Sequence, residues 1–200
     1  MADIGAKGFR ILVLTVLCLA LVPAVACRGG GTPEPTPAPA PVSWTPDGVI
    51  TAGEYSGEAH YQTYDIFWKQ DGQYINLGLR AETEGWVAVG FRPQPLHRET
   101  DMVIGYVSNG QVSVSDMFSN GELGPCALDT DLGGTSDILE SGGREAGGET
   151  TIEFRRQLDT GDQYDGALTS GPNLIMWGYS NVDDVRQQHI MSGRGELALD

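Results

Sequence analysis

The sequence predicts an all-β, antiparallel sandwich of about eight to eleven short strands. Three observations carry this. No helical period stands out after the first 27 residues, whereas short runs alternate apolar and polar residues. Two-residue turn signals separate such runs, as at Asp71-Gly72 and Asn109-Gly110. Glycine is abundant, at 28 of 200 residues, which suits many tight turns and few long helices.

Taken in order, the elements fall as follows. Trp44–Ile50 opens with Pro46-Asp47-Gly48, a turn signal, followed by a short strand. Tyr61–Trp68 alternates as a strand, and Tyr74–Ala81 places Ile75, Leu77, Leu79 and Ala81 on one face. Gly85–Phe91 and Asp101–Val107 are two apolar runs joined by a loop that Pro93 and Pro95 stiffen and that carries His97. Gln111–Phe118 follows as a strand, then a Gly/Asp-rich loop to Gly134. Ser136–Glu145 is ambiguous and reads best as an edge strand. Glu149–Arg156, with Ile152 and Phe154 inward, and the apolar Asn173–Ser180 are strands, and Gly195–Leu199 is a short final one. There is no repeat of solenoid or propeller type.

The first 27 residues read as a targeting segment: Lys7 and Arg10, then an apolar core Ile11–Ala26 interrupted by Pro23, then the small residues Ala24-Val25-Ala26. Leu21–Cys27 resembles a bacterial lipobox, with Ala24 where leucine is usual, so Cys27 is the expected lipidation site. Residues 28–43 form a Gly- then Pro-rich tether that buries too little apolar surface to fold. Residues 44–200 form the domain. The expected location is extracytoplasmic, with a lipid anchor in the cell membrane. Cys18 leaves with the signal and Cys27 is the lipid candidate, so Cys126 stands alone as a small buried hydrophobe or a free thiol.

Formal net charge is −15, spread through the body, which excludes a nucleic-acid surface. The histidines are His60, His97 and His189. They make no zinc motif, and no nucleophile elbow or phosphate loop is present, so no catalytic set is visible. Asp129, Asp131, Asp137, Asp183 and Asp184 lack an EF-hand spacing and read as turn residues.

Gly85–Phe91, Asp101–Val107, Leu128–Gly134, Thr150–Arg156, Leu158–Asp162 and the late His189 before Gly193-Arg194-Gly195 together resemble a DOMON domain. The resemblance runs over nearly all of Ser43–Asp200. It implies an immunoglobulin-like sandwich that binds haem b or, in some members, sugars. Haem-binding members include the cytochrome domain of cellobiose dehydrogenase, where a methionine and a late histidine hold the iron. The late ligand carries over to His189. The loop that should hold the methionine has His97 instead.

Three readings stay open: His97 with His189, Met102 with His189, or a pocket that holds no haem and binds a carbohydrate or another small ligand. Trp86, Phe91, Ile104, Met176 and Trp177 are the expected apolar wall. A six-coordinate haem would serve electron transfer. The expected partners are the membrane, reached through Cys27, and a transient redox protein such as a membrane cytochrome or dehydrogenase.

Overall fold

The computed structural model describes residues 42–95, 98–121 and 126–200. The targeting segment, Cys27, the tether up to residue 41 and His97 lie outside the described residues.

Among the described residues, eleven strands form two antiparallel sheets. The five-stranded sheet runs β1-β2-β3-β9-β8, built from β1 (Gly57–Tyr61), β2 (Tyr64–Asp71), β3 (Tyr74–Ala81), β8 (Glu140–Ala146) and β9 (Glu149–Gln157). The six-stranded sheet runs β11-β10-β4-β5-β6-β7. It is built from β4 (Val87–Phe91), β5 (Thr100–Ser108), β6 (Gln111–Ser119), β7 (Ala127–Leu128), β10 (Gly171–Tyr179) and β11 (Met191–Leu199). A single helical turn, α1 (Asp129–Leu132), follows β7 and ends at Gly133, whose φ of 95° a glycine adopts without strain.

Each strand alternates sides, so one side of each sheet meets the other sheet. Ile66, Leu77, Leu79, Ile152 and Phe154 from one sheet pack with Val87, Val89, Val103, Ile175 and Leu197 from the other. These ten side chains are fully buried. Burial at this level is the main favourable term holding the sheets together.

The Asn109-Gly110 hairpin forms as its residues require, with φ of 53° and 76°. Several segments differ from the sequence reading: β7 and α1 lie inside the expected Gly/Asp-rich loop, and β11 starts at Met191 rather than Gly195. Tyr61–Trp68 is not one strand but the end of β1, a turn at Gln62-Thr63, and the start of β2. Gln62 holds φ at 53° without being glycine or asparagine, so composition gave no turn signal. Val49-Ile50 forms no strand. Instead residues 44–55 lie over the outer face of the five-stranded sheet. Trp44 Nε1 donates to Tyr55 Oη (2.9 Å), and Tyr55 Oη donates to Glu153 Oε1 (2.6 Å). Gly48 N donates to Glu153 Oε2 (2.6 Å). This cover buries the second face of β3, where the alternation predicted exposure.

Candidate functional site: the outer face of the six-stranded sheet

The six-stranded sheet has an apolar outer face. Trp86, Ala88, Met102, Ile104, Met117 and Met176 form a buried cluster separate from the inter-sheet core, with Tyr106, Cys126 and Val185 packed against it. The register explains it. Gly90 pairs with Met102 and Met176, and Met102 pairs with Met117, so four strands deliver these residues to one patch. Gly90, Ala88 and Gly178 keep its middle low. A Cβ on Gly90 would sit 2.7 Å from Met176 Cγ, so the missing side chain lets Met176 lie along the sheet.

His189 stands at this patch. It lies in the connection between β10 and β11, and its Cβ is 3.5 Å from where a Cβ on Gly178 would project. Gly178 pairs with Ala88 on β4, within the patch. The connection is pinned at both ends. Ile190 N donates to Tyr179 O (2.8 Å), Trp86 N to Val182 O (3.1 Å), and Ser180 N to Trp86 O (2.9 Å). Gly85 permits this: a Cβ there would be 2.3 Å from Val182 N. His189 is half-buried, and burial lowers its pKa, favouring the neutral imidazole that ligates metals.

The loop after β4 approaches the same face. Arg194 pairs with Met176, and its Nη2 reaches Gln94 O (3.0 Å). Arg92 and Glu99, near the loop's two ends, hold φ at 48° and 47°. Left-handed backbone at two non-glycine residues costs energy that a simple turn would avoid, and such strain clusters at functional positions.

Of the five expected wall residues, Trp86, Ile104 and Met176 share the outer face. Phe91 and Trp177 do not. Each is an odd step along its strand from those residues, so the pleat turns it into the inter-sheet core. There Trp177 stacks between Tyr61 (5.3 Å) and Tyr64 (5.0 Å), and Phe91 lies under the Arg156 guanidinium (5.0 Å). Met102, the alternative ligand, sits in the outer cluster. Met117 joins it there and was missed; its place opposite Met102 across the Asn109-Gly110 hairpin was the available signal.

A second constellation also escaped the sequence reading. Asp101, Asp116 and Asp165 gather around Arg156; Asp101, Asp116 and Arg156 are buried, and Asp165 is half-buried with its side chain only 2% exposed. Arg156 Nη1 donates to Asp101 Oδ2 (2.8 Å), and Nη2 is 3.1 Å from Asp165 Oδ2. Gly166 N donates to Asp101 Oδ2 (2.8 Å), and Asp137 N to Asp116 Oδ2 (2.7 Å). Burial pushes the Asp101 carboxyl up to about 6 against the pull of Arg156. It pushes Asp116 up to about 7, and Asp129 up to about 8, where the neighbouring carboxylates add to the shift.

Residues 60–180 match the DOMON domain family. The chain belongs to this family. Its DOMON domain is 30% identical over 120 residues to mouse DBH-like monooxygenase protein 1, covering 60% of this chain and 19% of that protein. It is 30% identical over 138 residues to the human protein of the same name, covering 68% and 22%. The chain thus spans about a fifth of the length of these relatives. The DOMON sandwich is also similar to the cytochrome domain of Myriococcum thermophilum cellobiose dehydrogenase. The TM-score is 0.50 at 14% identity, covering 70% of this chain and 77% of that one, a likeness of fold.

Proposed function

We propose that this DOMON domain binds haem b on the outer face of its six-stranded sheet and carries electrons outside the cytoplasm. The observation that carries the reading is His189 standing over Gly178 at the edge of the Met102–Met117–Met176–Trp86 patch. The donors there are soft: one neutral imidazole and three thioethers, a set that suits haem iron better than a hard cation. Trp86 Nε1 is buried without an acceptor and is a ready donor to a haem carboxylate.

Bound haem would supply reversible one-electron chemistry. The chain's own residues supply the rest. The pinned β10–β11 connection orients His189. Ala88, Gly90 and Gly178 keep side-chain bulk off the middle of the patch, a flat ligand would displace Met176 from over Gly90, and the apolar patch excludes water. His97 is proposed as the second axial ligand, with Met102 as the alternative on the same face. The strained Arg92–Glu99 loop, tied down by Arg194, supports the first assignment. The domain presents no catalytic set of its own in this reading, and it acts with a redox protein such as a membrane cytochrome or dehydrogenase. The lipid anchor at Cys27 rests on the sequence motif alone. Cys27→Ala should release the chain from the membrane fraction.

One observation favours the rival reading, a haem-free module for carbohydrate. A cleft of about 450 Å³ holds the tilted pair Phe118–Tyr164 beside Arg92, Gln94, Asn120 and Gln163, an aromatic platform with polar side chains around it. The chain expressed with haem supplied distinguishes the two. Sharp visible bands that change on reduction support the cytochrome. A folded, colourless protein overturns it and favours the sugar module.

A further inference from the structure

The carboxylates around Arg156 are a poor ion-pair network and a good cation site. Two buried aspartates and a half-buried one, its side chain turned inward, face one guanidinium, so negative charge is left over inside the protein. Burying uncompensated charge is costly, and the group that balances it must be either a proton or a cation. Asp101 Oδ1 and Asp116 Oδ1 are buried with no hydrogen-bond partner. Independently, Asp129 on α1 is 1% exposed, and neither of its carboxylate oxygens has a partner. It lies close enough to Asp116, Asp165 and Asp101 to feel their charge. Orphaned buried acceptors at this density are unusual in a native fold and point to a missing donor or ion.

We propose that Asp101, Asp116 and Asp165 hold a calcium ion, with Asp129 supplying a fourth carboxylate nearby. One ligand oxygen from each of the three lies within 4.8 Å of the other two. Calcium binds oxygen at about 2.3–2.6 Å, so ligands on opposite sides of one ion are about 4.6–5.2 Å apart. The trio therefore fits a single calcium sphere as it stands. All the donors are hard oxygens, which suits calcium and not the soft metals. The cleft lined by Asp101, Asp165, Glu99 and Asn120 gives the ion a route from solvent and water to complete its shell. Arg156 does not preclude the site. It is hydrogen-bonded to Oδ2 of Asp101 and ion-paired with Oδ2 of Asp165, leaving Asp101 Oδ1 without a partner.

The test is calcium titration of the full chain after chelator treatment, followed by calorimetry and by thermal melting, with and without haem. The expected result is one calcium bound per chain and a melting temperature raised by several degrees, whatever the haem content. Asp116→Asn keeps the side-chain shape and removes a charge. It should fold, lose at least tenfold in calcium affinity and lose the calcium-dependent rise in melting temperature. Asp71→Asn, at an exposed position, should behave like the parent. A folded parent protein that takes up no calcium at millimolar concentration, or an Asp116→Asn variant that binds as tightly as the parent, overturns the proposal. Because the readouts are heat and melting, they are independent of the visible spectrum that decides the haem reading.

Discussion

Asp101 and Met102 are neighbours in the chain, and so are Asp116 and Met117. Strands β5 and β6 send the two aspartates inward and the two methionines outward. One pair of strands therefore builds two sites with opposite chemistry. Outward lies a soft, apolar face with thioethers and an imidazole. Inward lies a hard, charged hollow with carboxylates and a guanidinium. The period-2 alternation of a strand separates them by the thickness of one sheet, and a one-residue slip in register would exchange them. Both sites thus depend on the same register, and the Asn109-Gly110 turn fixes it.

Several substitutions can break that separation. The largest effect is expected at Arg156, which is fully buried between Asp101 and Asp165. Arg156→Met removes the only cation among the described residues paired with those carboxylates. It should cost about 3–5 kcal/mol in denaturant unfolding, as for other broken buried ion pairs. Added calcium should recover part of that loss.

On the outward side, Gly90→Val should cost about 1–3 kcal/mol by overpacking. The added side chain meets Met176 Cγ and Thr100 Cγ2. Haem uptake should fall with it, while calcium binding stays. If both sites fail together in a folded variant, the two faces are not independent.

The pH dependence has an unusual sign. Asp116 and Asp129 have folded-state pKa values pushed above the ordinary carboxylate value, to about 7 and about 8. The folded protein then holds protons that the unfolded chain has released. In metal-free buffer its stability should fall as pH rises from about 4 to about 8. Urea melts across that range check it, and Asp116→Asn should flatten the slope.

The smallest effect is at His60. Its Nδ1 lies 2.7 Å from Asp65 Oδ1, and that hydrogen bond raises its pKa at an exposed position. An NMR titration should find it above the ordinary histidine value. The pair's slight stabilisation is present below that ordinary value and fades as pH rises through the raised one.

Much of the fold was legible in the sequence. Tyr74–Ala81, Gln111–Phe118 and Glu149–Arg156 alternate over eight residues, and their strands start where the pattern does. The hairpin at Gln62-Thr63 was hidden because neither residue is a turn former, and the strained φ is visible only in three dimensions. The outer patch was half legible. Alternation along each segment sets Phe91 apart from Trp86 and Trp177 apart from Met176, but grouping residues across strands, and which face is outer, depends on strand pairing. The acidic hollow was least legible. Asp101, Asp116 and Asp165 come from β5, β6 and the loop after β9, and no spacing links them. The one available signal was an aspartate inside a strand pattern at the head of an apolar run, as in Asp101-Met102-Val103-Ile104 and Asp116-Met117-Phe118. Such a residue must find a partner inside the fold.

The proposed ligation of iron by His189 over the outer face can be read directly from a spectrum. The most direct measurement is the reduced-state visible spectrum of haem-loaded His189→Ala beside the parent, before and after adding free imidazole. Sharp bands are expected in the parent, with their loss in the variant, at least a tenfold drop in haem affinity, and partial return with imidazole. A variant that takes up haem and shows the parent's bands unchanged would contradict that ligation.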